Sequence, residues 1–395
     1  MTIFLHQRIP VSAAHYCALR CARDGIGKFA LAAIAFFLNA CAQQNDTAPT
    51  FHARENPRNL SDWGMLRTDK GELILAEGVT PYDLATPLFS DYALKLRTIW
   101  TPNGAPAVYN ADRAFDFPVG TVITKTFYYP VAGDNKDGAV SIGRERSVND
   151  RVMSLDHLRL IETRILVNRD TGWEALPYLW NEDQTDAVLM RTGAVVPMTL
   201  QRDDGRTKQF GYLVPNVNQC AGCHATDATA NAIQPIGAKA RHLNKPSSYQ
   251  PGFNQLDHWL AKGLLTGEIA QPAPKNAIWT DEIAPLADRA RAYLDVNCSH
   301  CHSPSGPADT SGLNLEPDAE GPALGICKTP IAAGVGTGER IFDIVPGEPE
   351  NSITIFRMET NNPGAMMPEL GRAVMHEEGV ALVSEWIAAM EGGCD

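Results

Sequence analysis

Residues 289–302 read RARAYLDVNCSHCH. The last five, Cys298-Ser-His-Cys301-His302, form a C-x-x-C-H unit. A second unit stands upstream, Cys220-Ala-Gly-Cys223-His224, at the end of residues 211–224 (GYLVPNVNQCAGCH). Two thiols three positions apart reach the two vinyl groups of one porphyrin and become thioethers. The adjacent imidazole then sits under the iron as its proximal ligand. The expected cofactors are therefore two haem c groups, held covalently by Cys220, Cys223, Cys298 and Cys301, with His224 and His302 on the two irons. Two independent copies of the unit in one chain make coincidence a poor explanation.

Three other uses of such cysteines compete with this reading. A zinc site gathers four ligands, often as C-x2-C pairs some 15–20 residues apart. Here a long stretch separates Cys223 from Cys298, and a His follows each pair. A thioredoxin-like dithiol opens a helix in a βαβ setting, and none is visible. Two structural disulfides would not require His224 and His302.

Outward from the motifs the chain changes character. Residues 119–130 (VGTVITKTFYYP) are dense in β-branched and aromatic residues and end at Pro130. Residues 158–167 (LRLIETRILV) alternate, with Ile161, Thr163, Ile165 and Val167 on one face and Glu162 and Arg164 on the other. Residues 132–140 hold a turn cluster. Trp173, Tyr178 and Trp180 read as sandwich or barrel core. After about residue 213 helical stripes replace alternation: Leu256, Trp259, Leu260 and Leu264; then Leu286, Ala290, Tyr293 and Leu294; then Val380, Val383, Trp386, Ile387 and Met390.

The front of the chain reads as an export signal. Arg20, Arg23 and Lys28 precede an apolar run, 29–40 (FALAAIAFFLNA), too short to span a bilayer. Leu38-Asn39-Ala40-Cys41 resembles a bacterial lipobox, whose cysteine is lipidated; Asn39 departs from the small residue usual there. The long, mixed stretch 1–19 points to a translation start downstream of Met1, residues 1–40 are set apart from the fold, and residues 41–60 read as a polar tether. The expected location is the periplasm, with a lipid anchor at Cys41 on a bacterial membrane, the outer membrane included.

Around the second motif the chain resembles class I cytochromes c. An amphipathic stretch leads directly into Cys298, residues 367–371 (MPELG) resemble the Met-Pro loop that supplies the distal sulfur in that family, and 376–391 resembles its closing helix. The resemblance implies Met367 as sixth ligand of the second iron, with Met366 and Met358 as neighbouring alternatives. For the first iron the resemblance breaks, because no Met lies between His224 and Cys298. His242, His258, a Met from the β-rich half (Met153, Met190 or Met198) or an open position remain, with His242 slightly ahead. Residues 60–395 as a whole resemble bacterial dihaem c-type cytochrome lipoproteins, and 117–129 faintly resembles a cytochrome P460 strand.

The fold expected is α+β and multidomain. A β-rich, sandwich- or barrel-like domain (61–212) is followed by a mainly α, cytochrome c-like dihaem region, with the first haem in 213–284 and the second in 285–395. Two cysteines are left over in the second haem region, Cys327 and Cys394, and a disulfide between them is expected outside the cytoplasm.

The 395 residues carry a formal charge of −12. Without 1–40, which hold four basic residues and one acidic one, the charge is −15. That excludes nucleic acid as an expected partner, since phosphate binding wants clustered Lys and Arg. Basic residues in 200–245 (Arg202, Arg206, Lys208, Lys239, Arg241, Lys245) read as a solvated face or as balance for haem propionates. The function expected is electron transfer between a periplasmic donor and acceptor, a redox protein or a dehydrogenase. A haem enzyme with an open site at the first iron, peroxidase-like in plan, and a cytochrome subunit of a dehydrogenase complex are the alternatives. No acid–base pair for the enzyme reading is identifiable.

Overall fold

Strand-forming residues dominate from residue 66 to 214. In order the strands are β1 (Leu66–Asp69), β2 (Glu72–Leu75), β3 (Thr80–Tyr82), β4 (Leu94–Trp100), β5 (Ala107–Val108), β6 (Val122–Pro130) and β7 (Ala139–Ser141). They continue as β8 (Val152–Ser154), β9 (Leu158–Arg169), β10 (Gly172–Trp180), β11 (Ala187–Leu189), β12 (Ala194–Gln201), β13 (Thr207–Val214) and β14 (Leu265–Thr266). The computed structural model describes residues 48–133, 139–144, 147–149, 151–331 and 333–394. The expected export signal and Cys41 lie outside the described residues.

The central element is an open, antiparallel six-stranded sheet in the order β11-β10-β9-β6-β4-β3. Threonines pair across its middle strands: Thr98 with Thr124 at 2.7 Å and Thr126 with Thr163 at 2.8 Å, all buried. Such cross-strand pairs fix register. Two three-stranded sheets, β1-β2-β8 and β13-β12-β7, and a two-stranded parallel sheet, β14-β5, complete the β structure.

Both faces of the six-stranded sheet are covered. One packs Leu96, Val122, Ile165 and Val167 against Leu60, Trp63, Leu73 and Leu75. The other presents Ile99 and Ile123 to Ala238, Leu243, Leu256 and Trp259. Glu162, on the strand face opposite Ile165 and Val167, is fully buried.

This architecture corrects the expected fold. The chain is β-rich throughout its front half, with fourteen strands in four sheets against seven α-helices among the described residues. The front half is β-rich as expected; its central sheet is open rather than closed into a barrel, and residues of β1 and β2 pack on one of its faces. The mainly α, cytochrome c-like region is not present. The three helical stripes do form helices, Gln255–Ala261, Leu286–Leu294 and Glu377–Ala388, but these are only 7, 9 and 12 residues long. Irregular chain and short 3-10 turns fill the intervals. The cause is local: Gly and Pro recur through 303–349, and each interrupts a helix, Pro by lacking an N–H and Gly by its backbone freedom.

Residues Thr47–Asp395 form one compact unit. β14 pairs with β5 across 158 positions, Leu265 opposite Ala107. Of the stretch read as a tether, part runs along the sheet: Arg169 donates to the Glu55 carbonyl at 2.7 Å, and Tyr178 Oη donates to that of Pro57 at 2.9 Å. Cys327 and Cys394 are joined by a disulfide, with Cα atoms 5.2 Å apart. No helix of the described residues is long and apolar enough to cross a membrane.

Candidate functional site

The first motif is carried on a helix, Val217–His224, that directly follows β13. Its start is set by a capping box: Asn216 Oδ1 accepts from the Gln219 N–H at 2.9 Å, and Gln219 Oε1 accepts from the Asn216 N–H at 2.9 Å. The helix is two turns long, so the cap fixes where Cys220, Cys223 and His224 fall. The second motif follows helix Leu286–Leu294 through a π-helical turn, Asp295–Ser299. Asp295 anchors that turn. Its carboxylate accepts from Arg241 at 2.8 and 3.0 Å, from Asn276 at 2.7 Å and from Ser299 Oγ at 2.8 Å. Burial alone would raise its pKa, but the Arg241 hydrogen bonds, with His242 and Asn276, hold it well below the usual carboxylate range.

The two motifs meet. Cys301 Sγ lies 3.4 Å from the Gly222 carbonyl oxygen. A cavity of about 500 Å³ is lined by Cys223, Cys298, Cys301, His302, Met358 and Met367. A second cavity of about 70 Å³ is lined by His224, His242 and residues of the central sheet. His300 lines both cavities. It is buried, and its Nδ1 has no hydrogen-bond partner.

Each motif imidazole has one ring nitrogen tied to a partner. His224 Nδ1 donates to the Gln234 carbonyl at 2.7 Å. His302 Nδ1 lies 3.1 Å from Ser311 Oγ, whose own proton goes to the Ala308 carbonyl at 2.7 Å, so the imidazole donates there too. In both rings Nε2 is left with its lone pair free, the usual way an outer partner fixes a metal-ligating His. Burial lowers the pKa of both rings to about 4, which keeps them in the neutral, coordinating form at pH 7. The four motif cysteines form no disulfide. Burial raises Cys220 to about 11 and Cys298 and Cys301 to about 12, so they are thiols rather than thiolates.

At the second motif the residues fit haem c. Two thiols, a neutral imidazole with free Nε2 and two thioether sulfurs share one cavity, whose volume lies in the usual range for organic ligands, about 300–1,000 Å³. Met367 and Met358 line it, and Met366 does not. At the first motif the donors are not gathered in the same way: His224 lines the small cavity, Cys223 lines the large one and Cys220 lines neither, and the cavity beside His224 is too small for a porphyrin as it stands. Among the described residues no three His, Cys, Asp or Glu side chains are gathered to hold a bare metal ion.

The candidates for the first iron separate. His242 lines the small cavity with His224. Its Nδ1 is 3.4 Å from Asn276 Nδ2 and its Nε2 is 3.8 Å from Asp295. His258 does not line the cavity. Met153 lies on β8 opposite Leu73 and is buried in the core of β1 and β2, Met198 is buried on β12 in a second core, and Met190 packs on that second core.

Two sets of residues escaped the sequence reading. His300 carries no signal beyond being a variable position of its motif. Arg97, Lys125 and Arg164 stand directly opposite one another on β4, β6 and β9 and line the small cavity. Their signal was present, as single charges inside otherwise apolar strands.

No family model matches the chain, nor does any curated protein or solved structure.

Proposed function

We propose that the chain is a dihaem c-type cytochrome of the periplasm, tethered to the membrane through Cys41, that passes electrons between redox partners. The observation carrying this reading is the convergence of the two C-x-x-C-H units. They are 79 positions apart at the Cys301–Gly222 contact, and they open onto cavities that share His300.

Haem iron supplies the one-electron chemistry when bound. The chain's residues do the rest. Cys220 and Cys223, and Cys298 and Cys301, hold the two groups. Gln234 and Ser311 orient His224 and His302 through their Nδ1 atoms. Met367 or Met358 offers a soft sulfur, which favours ferrous iron and a high potential. The Asp295–Arg241 pair braces the turn before the second motif, and His300 with the Cys301–Gly222 contact keeps the two sites adjacent. The acidic surface suits a basic partner, reached by electrostatically steered and salt-sensitive encounter.

A second reading, a haem enzyme with an open position at the first iron, has one observation in its favour. The polar groups Asn276 and Asp295 already surround His242. The test for both is the purified full-length protein, produced with c-type maturation. Haem quantification should give two covalent haems per chain; none would overturn the proposal. Absorption spectra of the reduced protein with and without carbon monoxide then divide the readings. No change supports transfer, and ready binding at one haem supports the enzyme.

A further inference from the structure

The central sheet carries a row of cations where a protein ordinarily avoids one. Register places Arg97 opposite Lys125 and Lys125 opposite Arg164, on three adjacent strands. Like charges directly opposite one another destabilise a sheet. The row faces into the molecule, lines the 70 Å³ cavity, and is joined there by Lys239.

Among the described residues the chain's own carboxylates pair with only one member of the row, Arg164. Glu162 is taken by Arg164, at 2.9 Å, and by Tyr212 Oη, at 2.6 Å. Asp295, which also lines the cavity, is taken by Arg241, Asn276 and Ser299. Arg97 is 3% exposed, and its Nη1 has no hydrogen-bond partner. Lys125 has no carboxylate among the described residues, and its Nζ sits 4.9 Å over the Phe127 ring. A cation left without a counter-ion away from water is strongly unfavourable, and of these two Arg97 is the more deeply placed. Burial and the neighbouring Arg164, Arg97 and Lys95 accordingly push the Lys125 pKa well down.

We propose that the cavity bounded by Arg97, Lys125, Arg164 and Lys239 is a carboxylate-binding site. A guanidinium fork matches a planar carboxylate. The cavity is small, and its remaining walls, including Leu84, Leu88, Ile123 and Leu166, are apolar, which suits a carboxylate on a short aliphatic chain. Two sources share that chemistry: a propionate of a haem held at the first motif, or a free small carboxylate. The first rests on the haem reading and the second does not. Either assigns the β-rich half a function, as the floor of the first site.

The test compares full-length wild type with Lys125→Met and Arg97→Met. Intact mass first decides whether haem is attached at Cys220 and Cys223, which tests the haem reading alone. If it is, the haem is labelled with ¹³C at its propionate carboxyls, and reduced-minus-oxidised infrared spectra are taken. The labelled bands should shift in both variants, and both variants should melt below wild type. If it is not, acetate is titrated against chloride at matched ionic strength. Acetate should raise the melting temperature of wild type and leave the variants unmoved. The proposal is overturned if Lys125→Met melts above wild type, as relief of an uncompensated cation would make it, with labelled bands or acetate response unchanged. Lys125 is only half-buried, and the wild-type acetate titration needs no variant, so a failure of Arg97→Met to fold leaves the test intact.

Discussion

Asp91 Oδ1 accepts hydrogen bonds from the backbone N–H groups of Ala373, at 2.6 Å, and Val374, at 2.9 Å. A residue just before β4 thereby holds the loop that follows Met367, 282 positions later. Burial raises the Asp91 pKa to about 6, against the pull of those two N–H donors and of Lys95 and Arg372.

That raised pKa has a signed consequence. The folded state binds the Asp91 proton more tightly than the unfolded chain, whose value is about 3.9. The associated stability is complete below about pH 4 and is lost as pH rises through about 6. Asp91→Asn keeps the acceptor oxygen and removes the titration. It should match wild type near pH 4 and exceed it by about 2 kcal/mol at pH 7. Urea unfolding at both pH values checks this. A constant difference between the two proteins would refute it.

Met367 and Met358 make different claims on the second cavity. Met367→Ala should abolish the methionine–iron charge-transfer band of the oxidised protein and lower one reduction potential, while Met358→Leu should leave both in place. The reverse pattern would move the sulfur ligand to Met358, and two silent variants would remove methionine ligation altogether.

Asp295 is fully buried and Arg241 nearly so. Truncating Asp295 to Ala strands the guanidinium, and such losses cost about 3–5 kcal/mol. Denaturant unfolding of Asp295→Ala measures it. A cost under about 1 kcal/mol, the range of surface pairs, would mean that the turn before the second motif stands without this pair.

The Cys327–Cys394 bond closes a loop spanning 67 positions. Loop-closure entropy assigns such a bond roughly 4 kcal/mol, and removal commonly costs about 2–5 kcal/mol. The double variant Cys327→Ser/Cys394→Ser should lose that much stability, and wild type under reductant should fall to the same level. Equal stability with and without reductant would show that the bond does not constrain the unfolded chain.

The motifs were legible because their chemistry is local. Five consecutive residues state a spacing, and no distant contact alters it. The apolar stripes at 256–260, 286–294 and 380–387 were legible for the same reason, although the Gly- and Pro-rich chain between them kept the helices short. What could not be read was which polar faces are covered. Alternation in 158–167 separates Glu162 and Arg164 from their apolar neighbours, and one strand by itself gives no means of telling a solvated face from a lined cavity. The covering residues lie far along the chain, His242 and Asp295 among them. A bulge adds to the difficulty. Phe127 faces Glu162 while Tyr128 faces Leu160, so Ile161 is skipped and joins the core of Phe127 and Tyr212 rather than that of Ile165.

The enclosure of Cys220 bears on biogenesis. The residue is 8% exposed, seated on a capped helix with its thiol 3.5 Å from the Asn216 carbonyl. An attachment enzyme needs both sulfurs of a pair within reach at once, and the finished molecule does not offer this one. On the haem proposal, a bond to Cys220 would therefore be made before the chain packs over that thiol, and attachment would come ahead of folding.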